Sequence, residues 1–268
     1  MIRPVGDRLF PDFAELWRFR DLCAALGRRD VTLRYRQTIL GIVWVVLQPM
    51  IAGGLFAIVF GKVAGLDSDG VNYFLFAYTG FVAWGSFQNA LSRAAGSLLA
   101  QSNLVTKVFF PRLVLPASAI FSAAVDFLVG TASLMFIFAI TGTLPGPGFL
   151  TFPFWALLLL AMGLGCGTMA AALSVRFRDV QHALPVLTQL LLYASPVAYA
   201  TTAVPESIRR WFVLNPLAGA LDGFRWAFLG TAPPSALSVA IAVAGAALSL
   251  VLGAAVFARF ERQLADVI

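Results

Sequence analysis

RYRQTILGIVWVVLQPM, Arg34 to Met50, is the stretch that decides the class of fold. A polar segment with two arginines stops abruptly, and an apolar segment follows that we predict to be helical as far as about Phe60. A cationic collar at the end of a spanning helix marks the cytoplasmic face of a membrane. The same collar lies where an anionic lipid headgroup would bind, so it is either a topology anchor alone or also a headgroup contact. Its members are Arg34, Tyr35, Arg36, Gln37 and Thr38.

The bulk composition also indicates an integral membrane protein. Hydrophobic residues make up 60% of the 268 residues, charged residues make up 12%, and the mean hydropathy is +0.85. Soluble chains carry about twice that charge. The net charge of +6 is concentrated at helix ends rather than on one face, which favours anionic lipid over nucleic acid as its partner. Cys23 and Cys166 lie far apart without a pairing pattern, so we predict neither a disulfide nor a metal site.

Six segments approach the length of about 20 apolar residues that a spanning helix needs. With the N-terminus inside, fifteen of the 19 lysines and arginines fall on the cytoplasmic side, so we predict that both termini are cytoplasmic. No cleaved signal peptide is evident, because charges interrupt the first thirty residues. The predicted spans run roughly over Ile39–Phe60, Asn72–Leu91, Pro116–Ile140, Phe152–Leu173, Ala183–Tyr199 and Ser235–Ala258.

Two further helical regions flank these spans. Asp12 to Arg29 has an apolar and a charged side, which favours a helix in the plane of the membrane interface over a short buried soluble helix. Between the last two spans, WFVL (Trp211–Leu214) and FRWAFL (Phe224–Leu229) are too short to cross, and we predict two helices that dip into the outer interface and return. The predicted fold is therefore an all-α integral membrane protein with six transmembrane helices, an N-terminal amphipathic interface helix and a re-entrant helical pair before the last span. We divide it into an N-terminal segment (1–38), a transmembrane domain (39–258) and a C-terminal tail (259–268).

Polar side chains inside the predicted spans define a second feature. Asp126 is the only carboxylate within a span, at a depth of roughly 15 Å, and it must face protein or water. Together with Gln48, Gln88, Asn89 and Gln189 it predicts a polar layer in the inner half of the bundle. Such a layer either lines a path or hydrogen-bonds helices to one another.

Aromatic and small residues recur on the spans as well. The aromatic side chains either stack on sugar rings in a conduit or pack helices together. Gly163, Gly165 and Gly167 predict that the fourth span makes close helix contacts. His182 has no second histidine or cysteine near it, so we interpret it as an interface residue rather than a metal ligand or proton relay. The aromatic residues are Phe74, Tyr78, Phe81, Trp84, Tyr193 and Tyr199.

The missing motifs narrow the class of function. The chain has no G-x-x-x-x-G-K-[ST] phosphate loop, no series of membrane carboxylates and no Ser/His/Asp group at one depth. We therefore expect no catalytic residue, and interpret the chain as a channel half, a scaffold or the membrane subunit of a machine that another polypeptide powers. Two cytoplasmic loops, Ser97–Leu115 and Arg176–Gln181, are candidate sites for that partner.

Four blocks carry a family resemblance: YRQTILGIVWVVLQPM, NLVTKVFFPRLVLPAS (Asn103–Ser118), RFRDVQHALPVLTQLLLYASPVAY (Arg176–Tyr199) and NPLAGALDGFRWAFLG (Asn215–Gly230). In this order they resemble the permease subunits of ABC-2 type polysaccharide exporters. The resemblance implies a homodimer in the inner membrane, with a separate ATPase subunit that binds ATP and Mg, and no cofactor or metal on this chain. It implies as substrate an O-antigen, capsule or teichoic-acid precursor on an undecaprenyl pyrophosphate-type carrier.

Two kinds of protein remain as alternatives: an exporter of another lipid or small hydrophobic compound, and a membrane glycosyl or acyl transferase. The transferase would need a base near the headgroup.

The resemblance also implies roles for individual residues. The headgroup residues would be Arg34, Tyr35, Arg36, Gln37 and Arg93. The path would be lined by Gln48, Phe74, Tyr78, Phe81, Trp84, Gln88, Asp126, Gln189 and Tyr193. The ATPase-coupling loops would present Gln101, Asn103, Lys107, Arg176, Arg178 and Asp179. The outer gate would consist of Trp211, Phe212, Phe224, Arg225 and Trp226.

Overall fold

A computed structural model of the chain describes residues 13–36, 41–66, 68–101, 104, 108, 110–177 and 179–267, with side-chain surroundings for all of these except 13, 36, 41–42 and 262–267. Ten α-helices make up most of this part of the chain. They are α1 (Phe13–Arg18), α2 (Arg20–Arg36), α3 (Gly41–Phe56), α4 (Tyr73–Ala100), α5 (Val114–Thr141), α6 (Phe152–Arg176), α7 (Val180–Ala194), α8 (Glu206–Val213), α9 (Pro216–Leu229) and α10 (Ala236–Val267). A π-helical segment (Ala57–Val63) continues α3, and 3₁₀ turns lie at Phe149–Thr151 and Thr201–Ala203.

Four of the described helical segments are long and apolar enough to cross a membrane, which makes this a multi-pass membrane protein. They are Val43–Val63, Val114–Thr141, Phe149–Arg176 and Ala236–Glu261. They correspond to the first, third, fourth and sixth predicted spans. The second predicted span lies in α4, which has 28 residues but a more polar sequence, and the fifth lies in α7, which has only 15 residues.

Side-chain caps and glycines explain where several helices begin and end. The Asn72 side chain accepts a hydrogen bond from the backbone of Phe74 at the start of α4, and Asn215 caps α9 in the same way through Leu217. Gly142 and Gly230 end α5 and α9 with a φ of 66° each, a left-handed conformation that glycine adopts without steric cost. The predicted pair of short outer helices is present as α8 and α9.

Close glycine contacts place α6 at the centre of the bundle, between α4 and α10. A Cβ on Gly167 would lie 2.5 Å from the carbonyl oxygen of Leu91 on α4. A Cβ on Gly165 would lie 2.5 Å from the carbonyl oxygen of Ser249 on α10. The predicted close contacts of this span are thereby confirmed, because any side chain there would push the helices apart.

The N-terminal helix differs from its predicted form. It breaks at Phe19, and α2 then continues to Arg36 instead of ending at Arg29. It runs beside the first half of α5: the thiol of Cys23 donates a hydrogen bond to the carbonyl of Val114, and Gly27 lies against the ring of Phe121. This contact brings the end of α2 to the middle of α5.

Candidate functional site

An ionic cluster forms where α2, α4 and α5 meet. Asp126 on α5 accepts hydrogen bonds from Arg34 (2.9 Å) and Arg93 (2.5 Å) at Oδ2, and from the hydroxyl of Tyr35 (2.6 Å) at Oδ1. The side chain of Asp126 is 1% exposed, whereas those of Arg34 and Arg93 are 34% and 22% exposed. The carboxylate is therefore enclosed, and the two guanidinium groups lie between it and the surroundings.

The cluster is rich in hydrogen-bond donors. Two arginines and the hydroxyl of Tyr35 share the one carboxylate of Asp126. The Nε of Arg93 is buried and has no hydrogen-bond partner among the described residues. Burial, together with the hydrogen bond to Asp126, raises the pKa of Tyr35 to about 12, so its hydroxyl remains a donor at neutral pH. An anion that approaches Arg34 and Arg93 would therefore meet hydrogen-bond donors and an attractive field.

Three of the five predicted headgroup residues come together in this cluster: Arg34, Tyr35 and Arg93. The side chain of Arg36 and the whole of Gln37 lie outside the described part of the chain. Asp126 was predicted to belong to a path deep in the bundle, and the structure instead pairs it with the collar. The reason is the long α2, which carries Arg34 alongside α5 as far as Asp126.

A groove with a volume of about 570 Å³ lies between α4 and α7. The indole of Trp84 donates a hydrogen bond to the side-chain oxygen of Gln88 (2.9 Å), which orients that amide. On the other wall, the side-chain amide of Gln181 donates hydrogen bonds to the carbonyl of Ala95 and to the hydroxyl of Ser174. The described residues that line the groove are Trp84, Gln88, Ser92, Gln181, Leu184, Pro185, Thr188, Gln189, Leu192 and Tyr193.

Four of the predicted path residues line this groove, namely Trp84, Gln88, Gln189 and Tyr193. Sequence reasoning missed Ser92, Gln181 and Thr188. Ser92 could have been found, because Trp84, Gln88 and Ser92 follow one another at the four-residue spacing of a single helix face.

The other predicted path residues lie elsewhere. Tyr78 is fully buried and its hydroxyl shares a 2.6 Å hydrogen bond with Ser133, while Phe81 packs in the same core at 9% exposure. Phe74 stacks on the ring of Tyr78 at 5.8 Å, and Gln48 is exposed on α3. These aromatic side chains pack helices, because they face the inside of the bundle rather than the groove.

The predicted outer gate divides into an exposed part and a buried part. Trp211 is 62% exposed on α8, whereas Phe224 and Arg225 on α9 are fully enclosed. The predicted gate residues Phe212 and Trp226 are half-buried. Arg225 was predicted to lie at the outer gate, and the structure places it in the core.

Arg225 connects three parts of the bundle. Its guanidinium group donates to the carbonyl of Val197 and to Asp222 (3.3 Å), and it lies 4.1 Å from the ring centroid of Phe76 on α4. Thr201 donates the second hydrogen bond to Asp222 (2.7 Å). These contacts tie α9 to the loop after α7 and to the start of α4.

The candidate coupling loops are described in part. Gln101 is buried at the end of α4, Arg176 lies over the ring of Phe177, and Asp179 precedes α7. The predicted coupling residues Asn103, Lys107 and Arg178 lie outside the described residues.

The last helix, α10, contacts the residues that connect the first of these loops to α5. The backbone N–H of Arg112 donates to the side chain of Glu261, and the Arg112 guanidinium group donates to the Glu261 carbonyl, both at 3.2 Å. Leu104 and Phe110 pack beside Phe257 in the same apolar cluster. This end of the bundle is therefore attached to α10.

A comparison with known protein families identifies the family to which this helical architecture belongs. The family model described as ABC-2 type transporter matches residues 21–229. The chain belongs to the ABC-2 type transporter family. It is a membrane subunit of that family, and the match spans both the ionic cluster and the groove.

Curated relatives of this ABC-2 membrane subunit align over nearly its full length. An O-antigen export system permease protein of Myxococcus xanthus is 28% identical over 251 residues, covering 93% of this chain and 95% of the relative. A Klebsiella pneumoniae protein of the same name is 25% identical over 254 residues, covering 92% and 95%. A capsule polysaccharide export inner-membrane protein of Neisseria meningitidis is 22% identical over 246 residues, covering 89% and 90%.

Proposed function

We propose that this chain is the permease subunit of an ATP-driven exporter that moves a lipid-linked polysaccharide from the cytoplasmic to the outer side of the inner membrane. Neighbouring residues on α4 carry the proposal: Arg93 belongs to the ionic cluster, and Ser92 lines the groove. A site for an anionic headgroup and a path for its glycan thus adjoin each other. The names of the aligned relatives support the same substrate class.

In this proposal Arg34 and Arg93 bind the pyrophosphate of the carrier, because arginine and phosphate form strong charge-assisted hydrogen bonds. Tyr35 adds a neutral donor beside them. Arg36 and Gln37 would extend the same collar. The glycan would then follow the wall of α4, where Trp84 offers a ring and Gln88 an amide.

The proposed assembly is a homodimer of six-span subunits, with α4 and α7 as the second and fifth spans, joined to two copies of a separate ATPase chain. The exposed apolar side chains of Leu187 and Leu190 on α7 support a further contact beside the groove. The ATPase, with its ATP and Mg, would act on the 101–107 and 176–179 loops. Because Arg112 is held by Glu261, a push on the first loop would reach α5 and α10 together.

The alternative functions receive less support from the same contacts. A transferase would need a free base near the headgroup, and the carboxylate in that place, Asp126, is engaged by three donors. An exporter of small hydrophobic compounds would not need a groove lined by Gln88, Thr188 and Gln189.

The test is reconstitution of the permease with its ATPase in vesicles that contain a glycan on an undecaprenyl pyrophosphate carrier. We expect ATP-dependent transfer of the glycan across the bilayer, and loss of most of that transfer in Arg34→Ala plus Arg93→Ala. The matched control is Arg28→Ala plus Arg29→Ala, which removes two exposed arginines from the same helix α2. Normal transfer by the correctly inserted cluster variant would contradict the headgroup site, and no transfer by the unaltered complex would contradict the function.

A further inference from the structure

The lining of the groove between α4 and α7 has a chemical character of its own. Its polar members are amides and hydroxyls: Gln88, Gln181 and Gln189, with Ser92 and Thr188. The remaining lining residues in the described part of the chain are apolar or aromatic. None of these described lining residues carries a full charge at neutral pH.

The charged residue that follows the groove lining on α4 is directed away from the groove. Arg93 follows Ser92 on α4, but its guanidinium group is bonded to Asp126, on the side where α2 and α5 pack. The cationic cluster and the uncharged groove are therefore separate surfaces of one helix. A substrate with an anionic end and a neutral body would match this division.

The groove offers suitable partners to a neutral sugar. A hydroxyl group both donates and accepts, and a primary amide provides two donors and an acceptor, so amides such as Gln88 and Gln189 match hydroxyl-rich chains. The bond from Trp84 to the oxygen of Gln88 leaves the NH2 group of that amide as a donor. Tyr193, 56% exposed on α7, presents a ring with a polar edge to the groove, whereas Trp84 on the opposite wall is 2% exposed and its N–H is bonded to Gln88.

A negatively charged sugar would bind less favourably in the groove than a neutral one. An ionised carboxylate that enters the groove loses hydration, and the described lining provides no counter-charge for it. Amide N–H groups compensate only part of that loss. The same lining that accepts hydroxyl groups therefore discriminates against anions.

We propose that the groove selects glycans whose repeating units are uncharged. The negative charge of the substrate would then be confined to its headgroup, which the arginine cluster binds. This inference rests on the proposed export function and specifies its substrate class. The length of the glycan and the identity of its sugars are left open by this chemistry.

The test uses the reconstituted complex and three synthetic oligosaccharides of equal length on one undecaprenyl pyrophosphate carrier. The first contains only neutral hexoses, the second has a uronic acid in place of one hexose, and the third is the methyl ester of that uronic acid. We expect the acidic chain to be transferred at least about tenfold more slowly than the neutral one, the discrimination that roughly 1.4 kcal/mol provides. The ester should restore transfer, because it removes the charge and keeps the carbonyl group at C6.

A substitution in the groove provides the complementary test. Gln189 is an exposed lining residue with no hydrogen bond to the described residues, so Gln189→Lys adds a cation to the groove. This variant should narrow the difference in transfer rate between the acidic and the neutral chains. His182→Lys, which adds the same charge to an exposed residue of α7 that does not line the groove, should leave the ratio of the two rates as it was. Transfer of the neutral chain by both variants shows that they are folded.

The outcomes separate the two proposals. Equal transfer of the neutral, acidic and esterified chains would overturn the charge selection while the export function stands. Slow transfer of both the acid and the ester would also overturn it, because size rather than charge would then decide. Failure to transfer any of the three chains would overturn the export function and this inference with it.

Discussion

Asp126→Asn should destabilise the protein far more than its conservative chemistry suggests. The amide keeps the shape of the carboxylate but removes the charge that Arg34 and Arg93 share. A hydrogen bond to a charged group contributes about 1.5–3 kcal/mol, and two such bonds are weakened here. Because both arginines are partly exposed, water compensates some of the loss, and we expect a decrease of about 2–4 kcal/mol in the free energy of unfolding.

The measurement is unfolding of the purified permease in detergent, followed by tryptophan fluorescence. Asp30→Asn is the matched control, since Asp30 forms an ion pair with Arg29 at 3.4 Å on α2, with side chains 32% and 49% exposed. Exposed pairs of this kind contribute less than about 1 kcal/mol. A double change of Asp126→Asn with Arg93→Met should recover part of the loss, because it also removes the Arg93 guanidinium group that the carboxylate pairs in the folded protein.

The result that refutes this reasoning is a loss for Asp126→Asn no larger than that for Asp30→Asn. The cluster would then not hold α2 against α5. A large loss with no recovery in the double variant would assign the stability to Tyr35 or Arg34 rather than to Arg93.

Three further outcomes follow from single contacts. Gly165→Ala should cost about 1–3 kcal/mol in thermal unfolding, because its methyl group meets backbone of α10. Gly85→Ala, whose added methyl group meets no atom within 4 Å, should raise the stability by about 0.5–1 kcal/mol. Equal effects of the two alanine substitutions would contradict the close packing of α6 against α10. Glu261→Ala should speed hydrogen exchange at the Arg112 amide by about tenfold, as expected for a lost hydrogen bond, and unchanged exchange would exclude that bond. Arg225→Met should lower the unfolding free energy by about 1–3 kcal/mol, since the buried carbonyl of Val197 loses its donor, whereas the side chain of Asp222 is 28% exposed and keeps its bond from Thr201; an unchanged unfolding free energy would show that α9 is held by other contacts.

Local features of the chain were predictable where one helix is sufficient to explain them. Gly163, Gly165 and Gly167 indicate a helix that other helices approach closely, whichever helices those are. Pro216 and the short apolar stretches around it predict two helices too short to cross. The four-residue spacing of Trp84 and Gln88 places them on one face, and both line the groove.

Predictions that depended on which neighbour a helix face meets were less reliable. Tyr78 lies six residues before Trp84 on α4, and nothing in their spacing shows that the first meets Ser133 and the second a cavity. Arg225 follows an aromatic residue in a segment predicted to be external, yet it is enclosed because Asp222 and the carbonyl of Val197 accept hydrogen bonds from its two terminal nitrogens. Burial of such a group depends on partners that lie far away in the chain.

The sequence by itself determined that this chain enters a membrane, where several of its long helices begin, and to which family it belongs. These properties depend on hydropathy, caps and short motifs, which are local. Only the tertiary structure decided that Arg34 and Arg93 share Asp126, and that an uncharged groove adjoins them. Helices joined by long segments can pack in many registers, and the register is chosen by the combined packing of all their faces, which no single segment encodes.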